Sequence, residues 1–472
     1  MNTNKEIERI IRDWLDDRAV DPPHASLESA MAQVAATPQQ RRRWLGWWLD
    51  RGRGATRGAH AKGNTSDKDS GRHRLMFGIT TLATSAAALA LIAALVVPRG
   101  DSGQPVIPAA GGGATHVVAA DGSGSFTTIG EAVAAAAEGD TILVKPGQYP
   151  EALVIDKDIT LQGDGPREGI VFSFPKGGPN DPDWGLPVTL VVKDSRATIA
   201  GLTILTPAKG GAVWVSGGSP TFEDVSVENV PDGMGTFNFG EGTSAIVRDS
   251  SWDGFWMIDA SPVTLEGNTI NGFSRLFGPD PATISGNTFL AGADLHVHGL
   301  AGLIEGNEFT DAGITVESGS DSDSAVTVRG NTFHDVRWNA DHGQAAILVQ
   351  DAGSTTDIVD NTITGSDTGI GVAFGSAATI MGNDLSGNRA ALVVTSSDVA
   401  IEGNTITANE TGLRLGNTVE MGDAGLQAGD AARPTVTGNT FCDNGTDLEV
   451  PDDDPNPITL DGNEVCAEQP AG

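Results

Sequence analysis

Six residues between positions 214 and 317 carry side chains that could bind a ligand or move a proton. They are Trp214, Met257, Asp259, His296, His298 and Glu317. Each lies in or beside a short apolar stretch of alternating type, such as "LHV" at 295–297 or "ITV" at 314–316. Alternate side chains of a strand face opposite sides, so His296 and His298 share one face while Val297 points to the other. Histidine beside a carboxylate suits general acid–base chemistry, and aromatic faces suit stacking on a flat ring such as a sugar.

An alignment of these stretches by eye places their outward residues in two rows. The first row reads Trp214, Asn238, Met257, Phe277, His296, Thr315, Leu348, Gly371, Val393 and Arg414. The second row contains Asp259, His298, Glu317 and Gln350. The first half of this face, rich in rings and polar groups, predicts a groove that binds sugar. The alternative is an outer face covered by long loops.

Other chemistries fit this face less well. Arg414 is the one basic residue that the alignment places on it, which disfavours a lyase that needs clustered acids and a basic residue. A metal site at Asp259, His296 and His298 is disfavoured because Val297 separates the histidines along the strand, so no metal ligands and no cofactor are assigned. The acidic runs "DSDS" at 321–324 and "DDD" at 452–454 are interpreted as solvated loops, with Ca²⁺ binding as the alternative.

A Gly-Asn corner recurs along the second half of the chain. Its asparagines stand at 268, 287, 307, 331, 383, 404, 439 and 463, and "DNTI" at 360–363 is a variant. A period of twenty-odd residues is typical of a solenoid with one coil per repeat. Asparagine tolerates left-handed backbone, and stacked amides can form a ladder from coil to coil. Regular leucine-rich spacing and calcium-binding glycine-rich nonapeptides are absent from the sequence.

The pattern predicts an all-β fold, a right-handed parallel β-helix with three strands per coil over residues 115–470 and a dozen or more coils. "IGEAVAAAAEG" places Ile129, Ala132, Val133, Ala136 and Ala137 on one helical face, which predicts a helix capping the first coil. Cys442 and Cys466 each follow a repeat asparagine by three residues. Equal positions in successive coils are stacked, so a disulfide between them is expected.

The region before the repeats predicts a membrane anchor. From Leu75 to Val97 the chain has 23 residues without a charge, enough to cross a bilayer. Arg72, His73 and Arg74 precede this span and Arg99 follows it, so the N-terminus is predicted to be cytoplasmic and the β-helix extracytoplasmic. Residues 1–51 form a helical cytoplasmic segment, 52–74 and 98–114 are linkers, and 75–97 is the single transmembrane helix.

The balance of basic and acidic residues also differs between the part of the chain up to Arg99 and the part beyond it. Up to Arg99 there are 15 Lys and Arg against 10 Asp and Glu, and beyond it 14 against 52. An acidic exterior part excludes nucleic acid as a partner, since phosphate binding requires a basic face. A cytoplasmic partner for the first 51 residues is left open.

The start of the predicted β-helix resembles a known enzyme family. "VVAADGSGSFTTIGEAVAAA" at 117–136 and "ILVKPGQYPEALVIDKDITLQGDGP" at 142–166 are similar to the N-terminal cap and first coil of pectin methylesterases. The family's catalytic motifs, which resemble Q-D-T-L, D-F-I-F-G and L-G-R-P-W, are missing; "LVQDAG" at 348–353 offers Gln350 and Asp351 alone. From residue 200 onward the chain resembles right-handed β-helix repeat proteins of the pectin-lyase-like fold.

The resemblance implies a polysaccharide or glycan as the ligand. We therefore expect a membrane-anchored extracytoplasmic β-helix that binds glycan at the cell surface. A carbohydrate-active esterase, lyase or hydrolase on the same fold is the first alternative, and a structural surface protein without a ligand is the second. The missing motifs weigh against an enzyme without excluding one.

Overall fold

The computed structural model describes residues 113–466, with the exception of 177–184, 231–235, 241, 260–261, 320–323, 338–344, 351–352, 396–398, 417, 422–424, 429–431, 433 and 451–457. The cytoplasmic segment, the linkers and the transmembrane helix predicted for residues 1–112 lie outside the described residues. Within the described part, no helix combines the length and the apolar composition needed to cross a bilayer.

The described residues form a β-solenoid whose coils stack through three parallel ladders of strands. The first ladder precedes the Gly-Asn corners and the second follows them; two long strands, Thr198–Leu205 and Thr221–Glu228, belong to both. The third ladder contains 13 strands in strict chain order, which corresponds to about 13 coils. An all-β solenoid of a dozen or more coils was predicted from the repeat and is confirmed.

The remaining strands of the first ladder are Thr115–Val118, Thr141–Val144, Thr160–Gly163, Ala245–Arg248, Val263–Glu266, Ala282–Ser285, Ala301–Glu305, Ala325–Arg329, Thr355–Val359, Ala377–Met381, Val399–Glu402 and Thr435–Thr437. Those of the second ladder are Gly147–Pro150, Ile170–Ser173, Ser251–Asp253, Thr269–Asn271, Thr288–Phe289, Glu308–Thr310, Thr332–His334, Thr362–Thr364, Asp384–Ser386, Thr405–Thr407, Thr440–Cys442 and Glu464–Val465.

The strands of the third ladder are Leu153–Ile155, Val188–Lys193, Gly211–Ser216, Thr236–Phe239, Trp256–Asp259, Ser274–Phe277, Leu295–His298, Ile314–Glu317, Ile347–Gln350, Thr368–Val372, Ala390–Val394, Thr411–Leu415 and Thr446–Glu449. An antiparallel hairpin of Thr418–Met421 and Gly425–Ala428 projects between two coils. A 3₁₀ turn spans Arg167–Gly169, and one α-helix spans Ile129–Ala135.

The core lies inside the coil, where inward side chains of the three ladders meet. Inward residues of successive coils stack on one another, as Phe289, Phe309 and Phe333 do with ring centroids 4.4 and 4.6 Å apart. Stacking of like side chains follows from the parallel register, because equal positions of neighbouring coils are hydrogen-bonded partners. The apolar periodicity of the repeats thus becomes a continuous hydrophobic core.

The two residues of the Gly-Asn corner have different structural roles. From Asn268 to Asn439 each asparagine of the corner is buried, and its Nδ2 donates to Oδ1 of the asparagine in the next coil at 2.8–3.0 Å; Asn463 is the last acceptor. The predicted amide ladder is therefore present. The left-handed backbone belongs to the glycine instead, as at Gly330 with φ +62°, where a side chain would be strained. In the "DNTI" variant Asp360 takes this conformation, with φ 55°.

The predicted cap helix covers the first coil but is shorter than expected. It ends at Ala135, so Ile129, Ala132 and Val133 are buried within it while Ala137 is exposed. The Glu151 carboxylate accepts hydrogen bonds from the N–H groups of Ile129 and Gly130 at 2.9 and 2.8 Å, which satisfies free donors at the helix N-terminus.

Asp140 joins this helix to the first strand, and its ionisation should stabilise the cap. Its carboxylate accepts hydrogen bonds from the N–H groups of Ala137 and Ala114 and contacts His116 Nε2 at 2.9 Å. These contacts lower the pKa of Asp140 from 3.8 to about 2, with the bond from Ala137 as the largest cause and the bond to His116 as the next. The stabilisation is complete above pH 3.8 and is lost as the pH falls through about 2.

Asp140→Asn should therefore lower the thermal midpoint at pH 7, with the difference from wild type shrinking towards pH 2. A difference that stays constant over this range would contradict the role of the charge.

Candidate functional site

The outer face of the third ladder holds the predicted site residues in two rows. Register pairs Trp214, Asn238, Met257, Arg275, His296 and Thr315 in one row across six successive strands. The other row contains Asp259, Phe277, His298, Glu317 and Gln350. We call the part of this face between Trp214 and Gln350 the ring-rich face. At a coil spacing of about 4.8 Å, the five steps from Trp214 to Thr315 cover roughly 24 Å.

The alignment by eye was wrong at one strand. Phe277 lies in the second row, and Arg275 takes the first-row position between Met257 and His296. The inward residues of this strand are Leu276 and Ser274, which is 1% exposed, so a polar residue stands where the apolar alternation required an apolar one. Arg275 therefore adds a basic residue to the middle of the face, and the prediction that Arg414 is the one basic residue there was wrong.

His298, Glu317 and Gln350 form a hydrogen-bonded group in adjacent coils. His298 Nδ1 lies 2.9 Å from Oε2 of Glu317, and Nε2 of Gln350 donates to Oε1 of the same carboxylate. Burial acts to raise the pKa of Glu317, but the bond and charge of His298, followed by the bond from Gln350, outweigh it and lower the pKa below 4.5. Glu317 is therefore ionised at neutral pH and orients the His298 ring, which also stacks on Phe277 at 4.8 Å.

A second group of rings lies beside the first row. Phe255 and Phe273 stack with centroids 5.9 Å apart, and Phe273 meets the His296 ring edge-on at 4.6 Å. The guanidinium carbon of Arg275 lies 5.1 Å from the Phe273 centroid, which is cation–π distance. Sequence reasoning missed both phenylalanines because they precede their strands. The repeated Gly-Phe at 254–255 and 272–273 was the signal that could have located them.

The six predicted residues are therefore only partly brought together. His296, His298 and Glu317 are neighbours, whereas Trp214 lies four strands away from His296 in the same row. Met257 stands between them, and the backbone of Asp259 pairs with that of Phe277. The side chain of Asp259 is not among those that the structure describes. Among the described residues, no group of three or more His, Cys, Asp or Glu side chains is placed to hold a metal ion.

A comparison of the sequence with protein-family models agrees with the repeat, the parallel ladders and the stacked amides. The family model described as "Right handed beta helix region" matches residues 189–337 and 276–466, more than half of the chain. The chain belongs to the right-handed β-helix family. The predicted handedness and family are thereby confirmed.

Solved structures of the same fold are distant from the chain. Pectin methylesterase from carrot is 16% identical, with 54% of this chain and 85% of that chain covered and a TM-score of 0.28. The A-module of the mannuronan C-5 epimerase AlgE6 from Azotobacter vinelandii is 16% identical (72% and 94% covered, TM-score 0.34). The catalytic unit of the GH87 α-1,3-glucanase from Streptomyces thermodiastaticus is 18% identical (76% and 71%, TM-score 0.39). These likenesses concern the fold alone. A search of curated proteins found no match.

Proposed function

We propose that this chain is a membrane-anchored, extracytoplasmic β-helix protein that binds glycan along the ring-rich face. The supporting observation is the concentration of rings on one stretch of the third ladder. Phe255, Phe273 and Phe277 stand among His296, His298 and Arg275, whereas the first-row positions from 348 to 393 are small or aliphatic, as at Gly371 and Val393. Sugar rings stack on aromatic faces, and polar groups beside them bind hydroxyls.

The extent of this face suits an extended ligand. Trp214, Met257, Phe277 and Gln350 are partly exposed along this length, while His296 and Thr315 of the first row are buried. Several linked sugars could lie along such a length. The anchoring part of the proposal rests on the uncharged span at 75–97 and on the basic residues that precede it.

A carbohydrate-active enzyme is the second candidate, and the His298–Glu317 pair favours it. A histidine whose Nδ1 is held by an ionised carboxylate has the orientation of a general base. The pair lies on the ring-rich face and adjoins Phe277, whose ring stacks on His298.

A glycan array with the full chain tests the proposal, followed by analysis of each bound glycan for products. Phe277→Ala should weaken binding about tenfold, the equivalent of about 1.4 kcal/mol, because it removes a stacking surface and the support of His298. Val393→Ala, in the first row but distant from the rings, is the control and should bind as wild type does. Product formation that is lost in His298→Gln would favour the enzyme. A folded protein that binds no glycan would refute the proposal and leave a scaffold.

A further inference from the structure

Arg275 differs from the other arginines that the structure describes. Arg167, Arg196, Arg248, Arg329, Arg337, Arg389 and Arg414 each have a carboxylate oxygen within 4 Å. No described carboxylate lies within that distance of the Arg275 guanidinium. Its contact is with the Phe273 ring, and its Nε is buried without a hydrogen-bond partner among the described residues.

The Glu317 carboxylate, in the other row of the face, is already engaged. Glu317 lies two strands from Arg275 in the other row, and its two oxygens are bonded by His298 and Gln350. The immediate partners of Arg275 in its own row are Met257 and His296, neither of which is an anion. Among the described residues, the guanidinium therefore contacts the Phe273 ring and has no carboxylate within 4 Å.

This arrangement is unexpected in so acidic a chain. Beyond Arg99 the sequence has 52 Asp and Glu against 14 Lys and Arg, so carboxylates for an ion pair are abundant. An arginine left unpaired on the ring-rich face, with a buried donor, has a site for an incoming anion. A guanidinium binds carboxylate, sulfate or phosphate through a planar fork of two N–H groups.

We propose that Arg275 is the charge-specificity determinant of this face, binding an anionic group of the ligand so that acidic glycans are preferred over neutral ones. The inference rests on the proposed glycan binding and adds to it the chemical class of the ligand. Phe273 positions the guanidinium, and the rings on either side bind the uncharged parts of the sugars. Because the chain beyond Arg99 is strongly acidic, an anionic group needs a local cation to bind there, and Arg275 supplies one among the rings.

The test compares neutral, uronic-acid, sulfated and phosphorylated oligosaccharides of equal length, titrated by calorimetry against the full chain. Arg275→Gln should lower affinity for the preferred anionic class about 10- to 100-fold, the effect of losing a charge-assisted hydrogen bond. It should leave neutral glycans unchanged within about twofold. Arg275→Lys should recover part of the loss, because it restores the charge without the fork.

Arg414→Gln is the matched control, since Arg414 lies in the same row and pairs with Glu449 at 2.8 Å. It should bind every oligosaccharide as wild type does. The anionic class that responds to Arg275→Gln identifies the group bound. Equal losses for neutral and anionic glycans would show a packing role for Arg275 and overturn the inference, while glycan binding itself stands. Binding of no glycan at all would overturn both proposals.

Discussion

Replacing Asn331 by alanine is expected to destabilise the β-helix by about 3–5 kcal/mol. The Asn331 amide donates to Asn361 Oδ1 and Ile304 O and accepts from the backbone N–H and Nδ2 of Asn307, all at 2.9–3.0 Å in a buried site. Alanine leaves two donors of Asn307 and the Ile304 carbonyl without these bonds, and each unsatisfied buried group costs about 1–3 kcal/mol. The shift of the urea midpoint, followed by circular dichroism, measures the loss.

Asn271→Ala is the control for this substitution. Asn271 is an exposed second-ladder residue whose side chain donates to Asp253 at 3.1 Å. Its removal should change stability by less than about 0.5 kcal/mol. Asn331→Asp tests donation specifically, because a carboxylate can accept from Asn307 but has no N–H for Asn361 or Ile304. Equal midpoints for Asn331→Ala and Asn271→Ala would show that the amide ladder does not hold the coils together.

The ladder shows which features of the fold are encoded in the repeat. A buried amide that recurs once per coil has to meet its equivalent, because parallel coils repeat at a fixed spacing, and the sequence alone therefore predicts the bonds from Asn268 to Asn463. Glycine takes left-handed backbone without strain, so the tight corner falls on Gly267, Gly286 and their equivalents, which have positive φ, while the asparagine beside each glycine turns its amide inward.

The site was less predictable because part of it lies outside the strands. His298 and Glu317 hold equal positions in adjacent repeats, so their contact follows from the spacing. Phe255 and Phe273 precede their strands, where the alternation of side chains gives no information. Arg275 was misplaced because Ser274 is a buried polar residue in a strand whose inward face was assumed to be apolar. The central cation of the face was therefore visible only in the structure.

Removing the disulfide is expected to release the last coil of the solenoid. The predicted bond between Cys442 and Cys466 is present, with Cα atoms 4.9 Å apart. It closes a loop with a sequence separation of 24, and a cross-link of that length is worth about 3.5 kcal/mol by chain entropy. In Cys442→Ala/Cys466→Ala the strand Glu464–Val465 keeps few contacts, since both residues are exposed. Hydrogen exchange at the amides of Glu464 and Cys466, which donate to Asn439 O and Phe441 O, measures the release.

In the double variant, exchange at the amides of residues 464 and 466 should be faster than in wild type by about two to three orders of magnitude. The loss of about 3.5 kcal/mol gives this factor, because 1.4 kcal/mol corresponds to a factor of ten. Protection at Leu413, in the third ladder two coils before the final strand, is the internal control and should change much less, since a solenoid coil is stabilised mainly by its neighbours. Wild type under reducing conditions should match the double variant, and the variant itself should not respond to reductant. Unchanged exchange at positions 464 and 466 would mean that the parallel hydrogen bonds to Asn439 O and Phe441 O, rather than the cross-link, hold the final strand.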